Sequence, residues 1–173
     1  MEPKQKESLL ALFQSTSSSL RETDPEWVKI VADFSLEELS AANGLTERER
    51  MICILSVLLG CQGMGEYRHM LHAGLDSGLD PIAIKETVDQ AAAYLGIGRV
   101  HNFLEATNQI MEQHGVTIPL LPQGTTDEAS RFAKGLKKQM ELFGKDIAKQ
   151  QTDCPSLRRN INHWLADNCF GDD

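Results

Sequence analysis

The stretch from Glu47 to Leu59 constrains the fold most. After Arg50 it runs Met51-Ile52-Cys53-Ile54-Leu55-Ser56-Val57-Leu58-Leu59. Thr46 and Glu49 stand ahead of it in the capping-box pattern, where each side chain takes an N–H group that the first helical turn leaves free. A helix that is apolar on nearly every side has no solvent face, so it is expected at the centre of a helical bundle. The run is too short to cross a bilayer, which takes about 18 to 20 apolar residues.

The remaining segments punctuate in the same way. Residues 4–13 can form a short amphipathic helix that the Ser/Thr cluster from Ser15 to Ser19 breaks. Asp24-Pro25 starts another, because Asp caps free N–H groups and Pro is tolerated at the first helical position. Trp27, Ile30, Val31 and Phe34 follow at helical spacing. Ser35 with Glu38 forms a further capping pair, and Asn43-Gly44 is a stop. Gly60, Gly63 and Gly65 loosen the backbone before a helix from Glu66 to about Ser77. Asp80-Pro81 opens a helix to Leu95, expected to bury Ile82, Ile84, Val88, Ala91, Ala92 and Leu95. Gly96 and Gly98 interrupt it, and a long helix from Arg99 to His114 ends at Gly115. Pro119, Pro122 and Gly124 mark a loop, and residues 127–143 and 155–169 are two further helices, the second signalled by Asp153 ahead of Pro155. Short alternating strand patterns are missing, so the fold class is all-α. The expected organisation is N-terminal helices over 1–44, a core over 45–115, a linker over 116–126 and C-terminal helices over 127–173.

Composition narrows the function classes. With 17 Lys+Arg against 25 Asp+Glu, the net charge is −8, and no basic stripe occurs, so nucleic acid and anionic membrane surfaces are not expected partners. Residues 1–20 carry no apolar segment with a small-residue cleavage site, so a cytoplasmic location is expected. Cys53, Cys61, Cys154 and Cys169 have spacings unlike a zinc site or a disulfide framework and are expected as thiols. A chain of 173 residues buries enough surface to need neither disulfide nor structural metal. Lys134, Lys137 and Lys138 with Glu141 read as a solvated helix face. Asp172-Asp173 reads as a fraying terminus.

Three segments between Leu45 and Asn108 carry a resemblance. They are Leu45-Thr46 with Arg50 ahead of the apolar helix, Gly74-Leu75-Asp76-Ser77-Gly78-Leu79-Asp80-Pro81 running into Ile84-Lys85-Glu86, and Tyr94-Leu95-Gly96-Ile97-Gly98. In order and spacing they resemble the carboxymuconolactone decarboxylase family, which shares its helical fold with the alkylhydroperoxidase D proteins. The resemblance implies a multihelical bundle assembled as a homo-oligomer, a trimer or hexamer, without a cofactor. It implies one of two activities: decarboxylation of a small carboxylated lactone in aromatic catabolism, or thiol-based peroxide reduction of the peroxiredoxin type. A non-catalytic oligomeric member is the third reading. Arg131, Gly135, Phe143-Gly144 and Asn168-Cys169-Phe170-Gly171-Asp172 resemble the helices that precede this family's core. The chain thus looks like one core followed by the opening of a second repeat.

Decarboxylating such a lactone needs a cation to hold carboxylate, an electron sink in the substrate and an acid to return a proton. Glu66, His69 and His72 stand three residues apart, spanning roughly 120° of one helix face, and are the candidate catalytic groups. His69 or His72 would move the proton, Glu66 would orient the imidazole, and Arg50 or Arg68 would clamp carboxylate. The competing reading makes them surface residues of an amphipathic helix whose Met70, Leu71 and Leu75 face the core. Tyr94 and His101 are candidates for bordering the same pocket, or else satisfied structural groups. The sequence departs from the family pattern at two places: the usual histidine, eight residues before the glycine matching Gly78, is Met70, and Met51 stands where an acidic residue often follows the arginine. The peroxidase branch uses a Cys-x-x-Cys pair, but the residue three after Cys61 is Met64. Cys61 is thus a single-thiol redox candidate, or a small buried hydrophobe. Glu66-x-x-His69 is the half-motif of di-iron bundles without a second copy, and a zinc held by His69, His72 and Glu66 is equally unmotivated, so no metal is expected.

Overall fold

A computed structural model describes residues 22–33, 44–152 and 156–170. The expected helix over 4–13, the Ser35/Glu38 pair, Phe34, Asn43, Asp153, Cys154, Pro155 and Asp172-Asp173 lie outside these residues. Among the described residues the secondary structure is entirely helical: α1 Pro25–Asp33, α2 Glu47–Gly60, α3 Met64–Asp76, α4 Pro81–Leu95, α5 Ile97–Gln113, α6 Arg131–Phe143, a 3-10 helix Lys145–Gln151 and α7 Ser156–Asn168. None of the described helices is long and apolar enough to cross a membrane.

The chain divides into two compact units, residues 1–118 and 119–173. In the first, α2 packs against α3 and α4, and α5 packs against α4 and α3, closing a four-helix ring. Met51, Leu55 and Leu59 of α2, Tyr67, Met70 and Leu71 of α3, Ile84 and Val88 of α4, and Val100, Phe103, Ile110 and Met111 of α5 fill its centre.

Local chemistry sets the helix ends. Thr46 and Glu49 close the capping box: the Glu49 N–H donates to Thr46 Oγ1 at 3.2 Å and the Thr46 N–H donates to Glu49 Oε2 at 2.8 Å. Asp80 Oδ1 accepts from the Ile82 N–H at 3.1 Å ahead of Pro81. At the end of α3, the Leu79 N–H bonds Gly74 O (2.8 Å) and the Gly78 N–H bonds Leu75 O (3.0 Å). That is a Schellman closure, and it requires the left-handed conformation that Gly78 adopts at φ +85°. The end of α5 repeats it: Val116 bonds Met111 O, Gly115 bonds Glu112 O (both 3.0 Å), and Gly115 has φ +77°.

Three expectations need correction. Helix α2 is not wrapped on all sides: Met51, Leu55 and Leu59 are buried, while Cys53, Ser56 and Val57 are exposed, its main packing among the described residues being on α3 and α4. Helix α3 begins at Met64, two residues before Glu66, and absorbs Gly65. Along α4 only Ile84 and Val88 are fully buried, with Ile82, Ala91, Ala92 and Leu95 partly covered. Trp27 and Ile30 of α1 are exposed.

In the second unit α6 packs on α7, with the 3-10 helix against both. Asn162 Nδ2 donates to Gln150 O at 3.1 Å, and Phe132 stacks on His163 with ring centroids 4.1 Å apart. Lys137 pairs with Glu141 at 3.9 Å on the outer face.

Candidate functional site

Helices α3 and α5 run in the same direction. Tyr67 meets Thr107, Arg68 meets Gln109 and His72 meets His114, so positions climb together along both helices. The two C-terminal ends therefore lie side by side. The two Schellman closures hold Asp76, the last residue of α3, and His114, the cap of α5, in fixed backbone positions there.

This end of the bundle gathers the polar chemistry. His72 Nδ1 and His114 Nε2 are 2.8 Å apart and share a hydrogen bond. On the other side of the His114 ring, Nδ1 lies 3.4 Å from Asp76 Oδ1. The His72 imidazole is pushed below its usual pKa, first by burial and then by His114, with smaller contributions in the same direction from His69 and Arg68 and an opposing one from Asp76. Arg68, one turn before His72 on the same face, donates from Nη1 to Gln109 Oε1 at 3.3 Å.

The other predicted residues are dispersed. His69 Nδ1 is buried without a hydrogen-bond partner and faces Glu66 Oε2 across 4.0 Å, too far for a hydrogen bond. Glu66 thus sits beside His69, and the partner of His72 is His114. Arg50 donates from Nη2 to Leu45 O at 3.5 Å in the cap of α2, and its buried Nε has no partner. Tyr94 does not join the histidines. It borders an open apolar groove of about 350 Å³ between α2 and α4, with Ser56, Leu59, Gly60, Thr87 and Ala91, and none of Glu66, His69 and His72 lines it. His101 is exposed and pairs with Glu105 at 3.3 Å.

Cys61 is exposed rather than a buried hydrophobe. It caps the C-terminal end of α2, the end whose carbonyls repel an anion, and its Sγ has Leu58 O as a weak acceptor at 3.7 Å. Cys53 lies two turns earlier in α2, roughly 12 Å along the axis, beyond disulfide reach. No group of three or more His, Cys, Asp or Glu among the described residues is arranged to hold a metal ion. In the His72–His114–Asp76 row the geometry explains this, since Asp76 faces the opposite nitrogen of His114 from the one that meets His72, so the three do not converge on one point.

Two participants escaped the sequence reading. The sequence marks His114 only as a helix end and Asp76 only as part of a loop motif, and the available signal is the helix-terminating glycine one residue after His114 and two after Asp76. Tyr67 is the third member of the α3–α5 seam. Thr107 Oγ1 donates to Phe103 O at 2.7 Å, so its one proton is spent, and the Tyr67 hydroxyl donates to Thr107 at 2.6 Å.

Residues 25–109 match the family model of the carboxymuconolactone decarboxylase family. Over that stretch, just under half of its length, the chain is similar to this family. No curated protein and no solved structure matched it. The matching segment takes in α1 through most of α5, including Arg68, His72 and Asp76. His114 lies beyond it.

Proposed function

We propose that the chain is a carboxymuconolactone decarboxylase-type lyase acting on a small carboxylated lactone or a related acid. The observation that carries this reading is the half-buried His72 imidazole, bonded to a second imidazole, with the Arg68 guanidinium one turn away on the same helix face.

The chemistry follows from those groups. Arg68 receives the substrate carboxylate, which fits the fork of a guanidinium better than its single long contact with Gln109. The bond from the carboxylate carbon to the ring breaks, its electron pair enters the conjugated lactone carbonyl, and CO2 leaves. The enolate then takes a proton from His72, which recovers one from water. A lowered pKa makes the charged imidazole a stronger acid and reduces the share of it that is charged near neutral pH. Because the charged form delivers the proton, kcat/KM is expected to fall as pH rises through a value below 6.5.

The thiol reading has less behind it, because Cys61 has no Cys-x-x-Cys partner in the sequence and Cys53 lies beyond its reach. The test is CO2 release from carboxymuconolactone by the wild-type protein, by His72→Gln and by Cys61→Ser. Turnover that falls about a hundredfold or more in His72→Gln and persists in Cys61→Ser supports the lyase. Undiminished turnover in His72→Gln, or no CO2 release by any form, removes it.

A further inference from the structure

His72 is the second histidine of a row, and the row has a direction. An imidazole has two nitrogens, and what faces one decides the state of the other. Asp76 is a carboxylate and only accepts; at 3.4 Å from His114 Nδ1 it favours a proton on that nitrogen. In neutral His114 the proton on Nδ1 leaves Nε2 as the acceptor. His72 Nδ1, 2.8 Å away, must then be the donor, and the neutral His72 ring is left with its lone pair on Nε2.

We propose that His114, biased by Asp76, is a positioning residue that holds His72 in the Nδ1–H tautomer and makes His72 Nε2 the nitrogen that exchanges a proton with substrate. This rests on the lyase reading for its consequence, but the tautomer itself does not. The backbone is built for the contact: both other members of the row stand at helix ends, His114 at the Gly115 closure and Asp76 at the Gly78 closure.

The arrangement also limits how the site charges. Either ring can take one proton and keep the shared N–H···N bond. A second proton puts hydrogens on both facing nitrogens, and the contact must open. The charged and titratable groups acting on the His72 ring are Arg68, His69 and Asp76 from its own helix and His114 from the facing one, and Gln109, the α5 side chain that meets Arg68, is neutral.

The experiment is NMR of the full chain labelled with 15N-histidine, following the ring nitrogens from pH 8 to 5, with the His72 signals assigned through His72→Gln. In the wild type, His72 is expected as the Nδ1–H tautomer at the alkaline end. His114→Gln keeps that tautomer, because its amide oxygen accepts in place of Nε2. In His114→Phe the bias disappears and His72 moves toward Nε2–H, the form free imidazole prefers, and Asp76→Asn moves it part of the way. The surface change Asp76→Asn also covers the case in which His114→Phe fails to fold. Should His72 be Nε2–H in the wild type, or keep its tautomer in both His114→Phe and Asp76→Asn, the positioning role is overturned. With carboxymuconolactone as substrate, His114→Phe is expected to lower kcat about tenfold to a hundredfold with little change in KM, and His114→Gln to restore most of it. The expected tautomers without turnover in any form would remove the lyase and leave the row standing; His72-dependent turnover with the wrong tautomer would do the reverse.

Discussion

Tyr67 donates its hydroxyl proton into the centre of the bundle, fully buried, and its ring meets Phe103 edge-on with centroids 5.0 Å apart. Burial pushes its pKa up to about 12, against a smaller lowering by Thr107. The folded state therefore keeps a proton that the unfolded chain releases from about pH 10, and stability falls as pH rises from there to about 12. The whole effect is on the order of 2 kcal/mol. Tyr67→Phe is expected to lose about 1 kcal/mol at neutral pH with the hydrogen bond and to flatten the alkaline decline, which urea titrations at pH 7.5 and 10.5 would measure. His72 has the opposite sign. Its folded pKa lies below the 6.5 of the unfolded chain, so the unfolded chain binds more protons as pH drops below 6.5 and stability falls with it. The urea midpoint is expected to fall less between pH 7.5 and 5 in His72→Gln than in the wild type. Neither pairing could be read along the chain. His72 and His114 are 42 residues apart, Tyr67 and Thr107 are 40 apart, and their meeting depends on α3 and α5 being parallel, which no local pattern encodes.

At the scale of the element, the readable signals were those whose cause is local. A cap needs only a side chain and an N–H two or three residues away, so Thr46 with Glu49 and Asp80 with Pro81 declared their helices, and a closing glycine declared the end of α5 at Gly115. Burial is a property of neighbours, and there local pattern failed: α2 has apolar residues all round but covers only its Met51–Leu55–Leu59 stripe. Gly74 shows how packing adds a demand of its own. A Cβ there would stand 3.3 Å from both Leu79 Cδ2 and Met51 Cγ, so α3 approaches α2 and its own closing loop because the side chain is absent. Gly74→Ala is expected to destabilise by about 1 kcal/mol as those two side chains shift. Gly78→Ala has open space around its Cβ and is expected to cost about 1 kcal/mol for a different reason, the positive φ. A thermal melt of each variant and of Ser77→Ala, with no such constraint on its backbone, separates these two causes.

At the scale of the molecule, the exposed apolar residues of α2, α4 and the start of α5 matter most. Val57 and Tyr94 are about two-thirds exposed, at 66% and 67%, and Ile97 is 78% exposed. Tyr94 lines the apolar groove between α2 and α4, as does Ser56, the chain neighbour of Val57. We propose that this face is where copies of the chain assemble as a homo-oligomer, in keeping with the trimer or hexamer implied by the family. Light scattering after size exclusion is expected to give a mass several times 19.2 kDa, and Val57→Arg to reduce it toward one chain without loss of helicity. A monomeric wild type at micromolar concentration would contradict it.

The claim on which the functional reading turns is that His72 delivers the proton. It is tested most directly by turning over carboxymuconolactone in D2O and locating the deuterium in the product. A single deuterium on one face of the enolate carbon, with both the rate and the facial selectivity lost in His72→Gln, is the result expected of a proton delivered from a fixed imidazole. Deuterium scrambled over both faces in the wild type, or unchanged selectivity in His72→Gln, would contradict it.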